Sequence, residues 1–490
     1  MPSLNPQKKN VILLMIDTLM DVSIQAALEE EKIPALKFFM ENGQYYPDLV
    51  CPFPTMSVNV DSSLLTGVYC DKHKVPGLVW FNKKENRIIN YGSSGTELFK
   101  LGIKQSLTDV FYNLNHEHLS KQHQTIHETL KDKGIQTASI NALLYRGSKP
   151  DQLKIPFLLS FITGLNKEMK TYIPDLFSYG LFHTLNPLKK NTYISKKHGF
   201  NDRFSVDELN YLLSQDKLPP FTITYLPDFD QRVHKNGRTD SKGIQKVDKQ
   251  LQRILNQYES WEEIFEKNIW IILGDNGQAG IEKNRKKALI HLPKLLNSYQ
   301  IAKLRKGVTS EDDIVLGVNE RMSYIYSLNS QKVRLEDIAK IFQQDNRIDV
   351  IALKKGKVIT VLSGIHEGHL YFHSQGDFSD DYGQSWFIEG NYDILDIEVN
   401  NKKISYKNYP DALARLHAAF HSHDGDYVVV SAKPGYEFKA EGSPTHVGGA
   451  SHGGLHKQDS LVSMIISGTN SAPNHLRTID LKAWFELLVQ

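Results

Sequence analysis

The sequence predicts an α/β fold, a mainly parallel central sheet flanked by helices with a smaller α+β cap inserted into it. Three observations carry this. Short runs of continuous apolar residues recur along the chain, at 11–16, 135–140, 221–226, 269–274 and 461–468, as strands covered on both faces of a sheet require. Helical patterns separate several of them, the alternation that builds parallel sheets. With 490 residues, of which 40% are hydrophobic, the chain is long enough to bury a large core and to carry insertions.

Taken in order, VILLMI (11–16) ends in Asp17. That carboxylate falls at the C-terminal end of the strand, the edge where open α/β sheets collect ligands. Next comes CPFPTMSVNVDSSLLTG (51–67), where Pro52 and Pro54 hold the backbone extended before an apolar helix. Thr55 and Ser57 stand where the first free amides of that helix point. A hydroxyl in this place serves either as a helix cap or as a nucleophile toward a phosphate that the helix N-terminus receives. Further on, Val247, Leu251, Ile254, Leu255, Tyr258, Trp261 and Ile264 make one apolar face, which predicts a helix over 246–267.

Two stretches break the rhythm. Residues 145–218 carry prolines, aromatics and the apolar PFLLSFITG (156–164), and read as a lid, with a partner-binding or membrane-surface helix as the alternative. Residues 281–442 form a second insertion, in which RMSYIYSL (321–328), a helix near 335–344, RIDVIAL and KVITVLS predict a strand–helix–strand–strand cap. The expected catalytic core is then 1–144, 219–280 and 443–490.

The totals exclude several classes. Fifty-eight basic against 56 acidic residues leave a net charge of +2, which gives no nucleic-acid or anionic-membrane signature. No run is long enough for a membrane span. Two cysteines, Cys51 and Cys70, are too few for a disulfide framework, although one bond between them is possible. These features point to the cytoplasm; oligomeric state has no signal.

Metal-ligating residue types cluster at the predicted strand ends. Asp230 and His234 follow the 221–226 run in PDFDQRVHKNG, Asp275 and Asn276 follow the 269–274 run in DNGQ, and His452 and His456 precede the 461–468 run in SHGGLH. Each alone has a plainer reading, since an Asp after a strand is commonly a cap or a turn former. Together with Asp17 and Ser57 they make a mixed carboxylate and imidazole set suited to Zn²⁺, with Mn²⁺ or Fe also served. Other histidines read differently. His116, His118, His123 and His127 are expected in a solvated polar segment, His366, His369 and His373 stand in reserve for the site, and KNRKK (283–287) reads as a charged surface turn.

These motifs resemble the alkaline phosphatase superfamily, in its nucleotide pyrophosphatase/phosphodiesterase branch. FPTMSVNVDSSLLTG (53–67) is similar over its length to that branch's FPT-x-T-FPNH-x-S-x-x-TG pattern, PDFDQRVH to P-D-x-x-G-H, and ASHGG to G-x-H-G. The resemblance implies Ser57 as nucleophile, with Thr55 the other hydroxyl of the motif. It implies Asp230, His234 and His452 as ligands of one metal, and Asp17, Ser57 and Asp275 as ligands of a second. Two divalent ions follow, Zn²⁺ in the family manner, with Mn²⁺ an option where Asn276 stands in place of the usual histidine. The branch's phosphoryl-binding asparagine aligns with Leu78, so Asn82 or Asn59 would substitute, and Trp80 is a candidate to stack on a flat leaving group. The implied function is hydrolysis of a small-molecule phosphate ester through a phosphoserine, a diester first. A monoesterase, a phosphonate hydrolase or phosphomutase, or a degenerate binding protein are the alternatives. A sulfatase is excluded, because MSVNV lacks the Pro-x-Arg that follows its modified residue.

Overall fold

The computed structural model describes residues 8–187 and 197–490. Its centre is a seven-stranded sheet built from β1 (Asn10–Ile16), β2 (Gly43–Val50), β3 (Thr137–Ile140), β4 (Leu176–Ser178), β5 (Phe221–Leu226), β6 (Asn268–Leu273) and β7 (Leu461–Ser467), in the order β2-β7-β6-β1-β5-β3-β4. β1 pairs in parallel with β6 and β5, and β3 with β5 and β4, while β7 runs antiparallel to β6 and β2. The register sets Leu14 opposite both Ile272 and Thr224.

Side chains alternate across a strand, and β1 shows why it is apolar throughout. Val11, Leu13 and Met15 pack on one face with Val58, Leu64 and Leu65 of α1 (Ser57–Thr66). Ile12, Leu14 and Ile16 pack on the other with Leu251, Ile254 and Leu255 of α3 (Ser241–Leu255). Both faces are dry, so polar residues are confined to the strand ends, and the ends are where the functional side chains gather. The expected helix over 246–267 is two pieces instead. α3 begins earlier, at Ser241, and stops at Asn256, whose side chain accepts from Trp261 Nε1 at 2.9 Å in the turn that follows, before a short helix at Ile264–Lys267.

The 281–442 insertion supplies all nine strands of a second sheet, far more than a strand–helix–strand–strand unit. The expected pieces are present at Met322–Ser327, Leu335–Gln343, Ile348–Lys355 and Val358–Leu362. Between the first two strands of this cap sheet, Ile314–Asn319 and Met322–Ser327, lies a tight turn of Glu320 and Arg321. Part of the expected lid is core: β4 is an edge strand of the central sheet, and the helix Asp202–Ser214 packs beneath it. What projects is a hairpin, Lys149–Lys154 with Glu168–Ile173, whose connecting helix leaves Phe157, Leu158, Phe161 and Ile162 exposed. Among the described residues no helix is long and apolar enough to cross a membrane.

Several histidines lie where the sequence does not place them. His116, His118 and His127 are buried, bonded to Thr171 (2.6 Å), Tyr91 (2.6 Å) and Thr137 (3.0 Å), so their segment is packed and not solvated. His366 and His369 are exposed on the cap and His373 stacks on Phe387, apart from the strand ends of the central sheet. Cys51 and Cys70 are free, buried thiols.

Arg321 ties the cap to the core. It is wholly buried, reaches Asp459 at 2.8 and 3.2 Å, and donates to the carbonyls of Ala432, Lys433 and Tyr436. Arg321→Met strands the buried Asp459 charge, and a loss of about 3–5 kcal/mol is expected, read as a fall in the urea midpoint; an unchanged midpoint would refute the role.

Candidate active site

The C-terminal edge of the central sheet collects the polar residues. Asp17 follows β1, and its carboxylate accepts from the Tyr225 hydroxyl. Asp275 follows β6, and its Oδ1 accepts from the amides of Thr18 (3.0 Å) and Asn276 (2.8 Å), while the buried Oδ2 has no partner. Asn276 Nδ2 lies 3.4 Å from both Asp17 Oδ1 and Ser57 Oγ. Asp17, Ser57, Asp275 and Asn276 therefore share one cluster.

Ser57 opens α1, but its hydroxyl does not cap it, because the N-cap is Met56 and no side chain closes that end. The hydroxyl is left for other work. Thr55, by contrast, is wholly buried and used: its Oγ1 accepts from the Gly453 amide (2.8 Å) and its carbonyl meets His452 Nδ1 (2.6 Å). It ties the Ser57 turn to the histidine loop. Arg415 strengthens that tie by reaching Ser460 Oγ (2.7 Å) and the carbonyls of Leu455 (3.2 Å) and Pro52 (3.5 Å).

The second cluster stands on α2 (Asp228–Asn236), where Asp230 and His234 share a face one turn apart. His234 Nε2 is 3.2 Å from Asp230 Oδ1, and His452 Nε2 is 3.9 Å from the same oxygen. These three make a group able to hold a metal ion. His452 arrives on a glycine-rich loop for steric reasons. A side chain at Gly449 would stand 1.9 Å from the His234 carbonyl, and one at Gly453, whose φ is +100°, 2.2 Å from that of Asn319.

Burial raises the Asp17 and Asp275 carboxyls above the usual range, with Asp275 and Asp230 pushing Asp17 further. Burial also opposes charge on Asp230, but His234 and His452 override it and hold that carboxyl low. His234 is held up to about 10, because Asp230 and Glu320 outweigh its burial. The surplus of buried negative charge, the partnerless Asp275 Oδ2 and the partnerless Gln278 Oε1 all fit a site completed by cations.

Four residues here escaped the sequence. Thr18, at φ +65°, places Oγ1 3.0 Å from Asp230 and 3.1 Å from Asn276 and so bridges the clusters, while Gln278 Nε2 braces Asp230 at 2.6 Å and Thr18 Oγ1 at 3.2 Å. Their signal was adjacency to Asp17 and to DNG. Glu320 and His446 join His234 in a further group able to hold a metal. His446 had a weak signal in the glycine-rich HVGGASHGG, and Glu320, in a cap turn, had none.

Other candidates fall away from this edge. Asn82 spends its amide in a hairpin turn, accepting from Lys84 and Glu85, and Trp80 packs between the rings of His118 and His423. Both line a cleft with Lys83, Glu85 and Asp424 that contains none of the clustered residues, so neither takes the expected substrate role. Asn59 is buried and donates to the Pro54 carbonyl, the Leu78 amide is bonded to Asn319, and His456 caps a short helix.

A serine at a helix N-terminus, beside carboxylates and imidazoles at the edge of a seven-stranded α/β sheet, is the arrangement of an alkaline phosphatase-like fold. The family model of type I phosphodiesterase/nucleotide pyrophosphatase matches residues 11–455, so the chain belongs to that family and to its phosphoester hydrolases. No curated protein matches the sequence. Among solved structures, human ectonucleotide pyrophosphatase/phosphodiesterase 5 superposes with a TM-score of 0.57 at 12% identity, covering 98% of this chain and 95% of that one. Phosphonoacetate hydrolase from Sinorhizobium meliloti, in complex with phosphonoacetate, gives 0.58 at 13%, covering 99% and 97%. At such identity these two show the fold.

One turn along α1 from Ser57, Asp61 is buried with no partner for either oxygen, and burial, then the Asp275 charge, raises its pKa well above the ordinary value. The folded state therefore holds a proton that the unfolded chain releases near pH ~4, and stability falls as pH rises from there. In metal-free protein, the stability advantage of Asp61→Asn over wild type should widen between pH 4 and 8; a constant gap in urea midpoint would contradict it.

Proposed function

We propose that this chain hydrolyses small-molecule phosphate esters, diesters in preference to monoesters, through a covalent phosphoserine at Ser57 with two divalent ions. The observation that carries this is the Ser57 hydroxyl, left uncapped at the N-terminus of α1 and 3.4 Å from Asn276 at the edge of the carboxylate clusters. Asp230, His234 and His452 would hold one ion, and Asp17, Ser57, Asp275 and Asn276 the other. Such ions lower the pKa of the serine hydroxyl and neutralise phosphoryl oxygens.

The protein's share is placement and charge. Ser57 Oγ attacks phosphorus as its proton passes to water, and the P–O bond to the leaving group breaks, the departing alkoxide taking up a proton; water then attacks phosphorus, giving up a proton, as Oγ departs and regains one. The first amides of α1 point toward the phosphoryl oxygens and stabilise charge developing there. Thr55 and Arg415 keep the turn in register with the His452 loop, so Ser57 and that ligand move as one body. Asp17, Ser57 and Asp275 offer only oxygen, and Asn276, which turns its Nδ2 toward them, brings no imidazole, a set that suits Mn²⁺ better than Zn²⁺ at that position.

The test is turnover of bis-p-nitrophenyl phosphate against p-nitrophenyl phosphate, after metal stripping and reloading with Mn²⁺ or Zn²⁺. Faster diester hydrolysis is expected, lost by at least about a thousandfold in Ser57→Ala. If neither ester is cleaved under any metal, the catalytic proposal fails in favour of a binding role. Asn276→His restores an imidazole, and the activity ratio of Zn²⁺ to Mn²⁺ should rise; an unmoved ratio would show that Asn276 does not face an ion.

A further inference from the structure

We propose that Glu320 is a fourth protein ligand of the ion held by Asp230, His234 and His452, supplied by the cap and not by the catalytic core. The inference rests on the two-ion reading above and adds a residue to it. Glu320 Oε1 is 4.0 Å from His234 Nε2, and Oε2 is 3.9 Å from His452 Nε2. Asp230 stands 3.2 and 3.9 Å from the same two nitrogens, so both carboxylates face the pair of imidazoles, Glu320 with one oxygen toward each ring.

The donor atoms are also prepared. His234 Nδ1 meets the Ala450 carbonyl at 2.9 Å and His452 Nδ1 the Thr55 carbonyl at 2.6 Å. A carbonyl only accepts, so each ring carries its proton on Nδ1 and presents Nε2 to the centre. Glu320 receives Ser451 Oγ (2.6 Å) and the His452 amide (3.3 Å) on Oε2, which leaves Oε1 for the ion.

Its place is held firmly. Glu320 is buried at the first position of the cap turn with φ +57°, a backbone region that favours glycine. The next residue is the Arg321 anchor described above. His446 is a positioning residue: its Nδ1 lies 3.1 Å from Glu437 and 3.6 Å from Glu320 Oε2, and its ring stacks on His234 at 4.0 Å.

A fourth ligand changes the choice of metal. Four protein donors fill the tetrahedron of Zn²⁺, whereas a phosphoryl oxygen needs a further position. An ion that accepts five or six donors keeps that position, and two carboxylates beside two imidazoles suit Mn²⁺. Both clusters of this chain then select the same harder ion.

The test is Mn²⁺ titration of the stripped full-length chain, with free Mn²⁺ read by electron paramagnetic resonance. Glu320→Gln keeps the acceptors for Ser451 and the His452 amide but removes the charge. Wild type should take up two ions, and Glu320→Gln should weaken one of them by at least about tenfold, while Zn²⁺ competes better than it does in wild type. Glu320→Asp, which keeps the charge and tolerates the turn, should fall between them and decides the matter if the glutamine variant does not fold. If wild type takes two ions and both variants match it, Glu320 is no ligand and the two-ion reading stands. If wild type takes none, both fall.

Discussion

The constraint on which the rest of the structure depends is the concentration of buried carboxylates at one edge of the sheet. Asp17, Asp230, Asp275 and Glu320 stand within a few side chains of each other, each largely shielded from water. Burying one unpaired charge costs several kcal/mol, and this edge holds more acids than the neighbouring imidazoles can offset. The raised proton affinity of Asp17 and Asp275 and the charge held on His234 are the molecule's response within its own side chains. Cations answer the same demand and leave the carboxylates ionised.

The remainder of the fold positions that edge. The dry β1, β5 and β6 put their following residues at a common height, and the antiparallel β7 brings the His452 loop back to the same side. Thr55, Arg415 and Arg321 then lock together three segments distant in sequence, the Ser57 turn, the histidine loop and the cap turn. The cap is thereby more than a cover, because a residue of its sheet turn faces the centre built by the core.

Much of this was legible in the sequence, for local reasons. A strand covered on both faces must be apolar throughout, so VILLMI and its counterparts announced themselves, and the residue after each run had to lie at the sheet edge. The i, i+4 spacing in DFDQRVH placed Asp230 and His234 on one helix face before any tertiary contact was known. What stayed hidden depends on contacts between distant segments. Glu320 has no periodic neighbour that marks it, and its place beside His234 and His452 depends on the neighbouring Arg321 docking on Asp459. His116 and His118 of NHEHLSKQHQ look solvated by composition, yet they are buried against partners such as Thr171 and Tyr91. The break after Asn256 was masked by Tyr258 and Trp261, which keep their apolar contacts outside the helix.

The most direct measurement of the central claim is calorimetric titration of the stripped chain with Mn²⁺, in wild type and in Asp230→Asn and Asp275→Asn. The account predicts two sites per chain, with one lost or strongly weakened in each variant and a rise in melting temperature as wild type is loaded. Wild type that binds no ion at millimolar concentration, and whose melting temperature does not move, would contradict it.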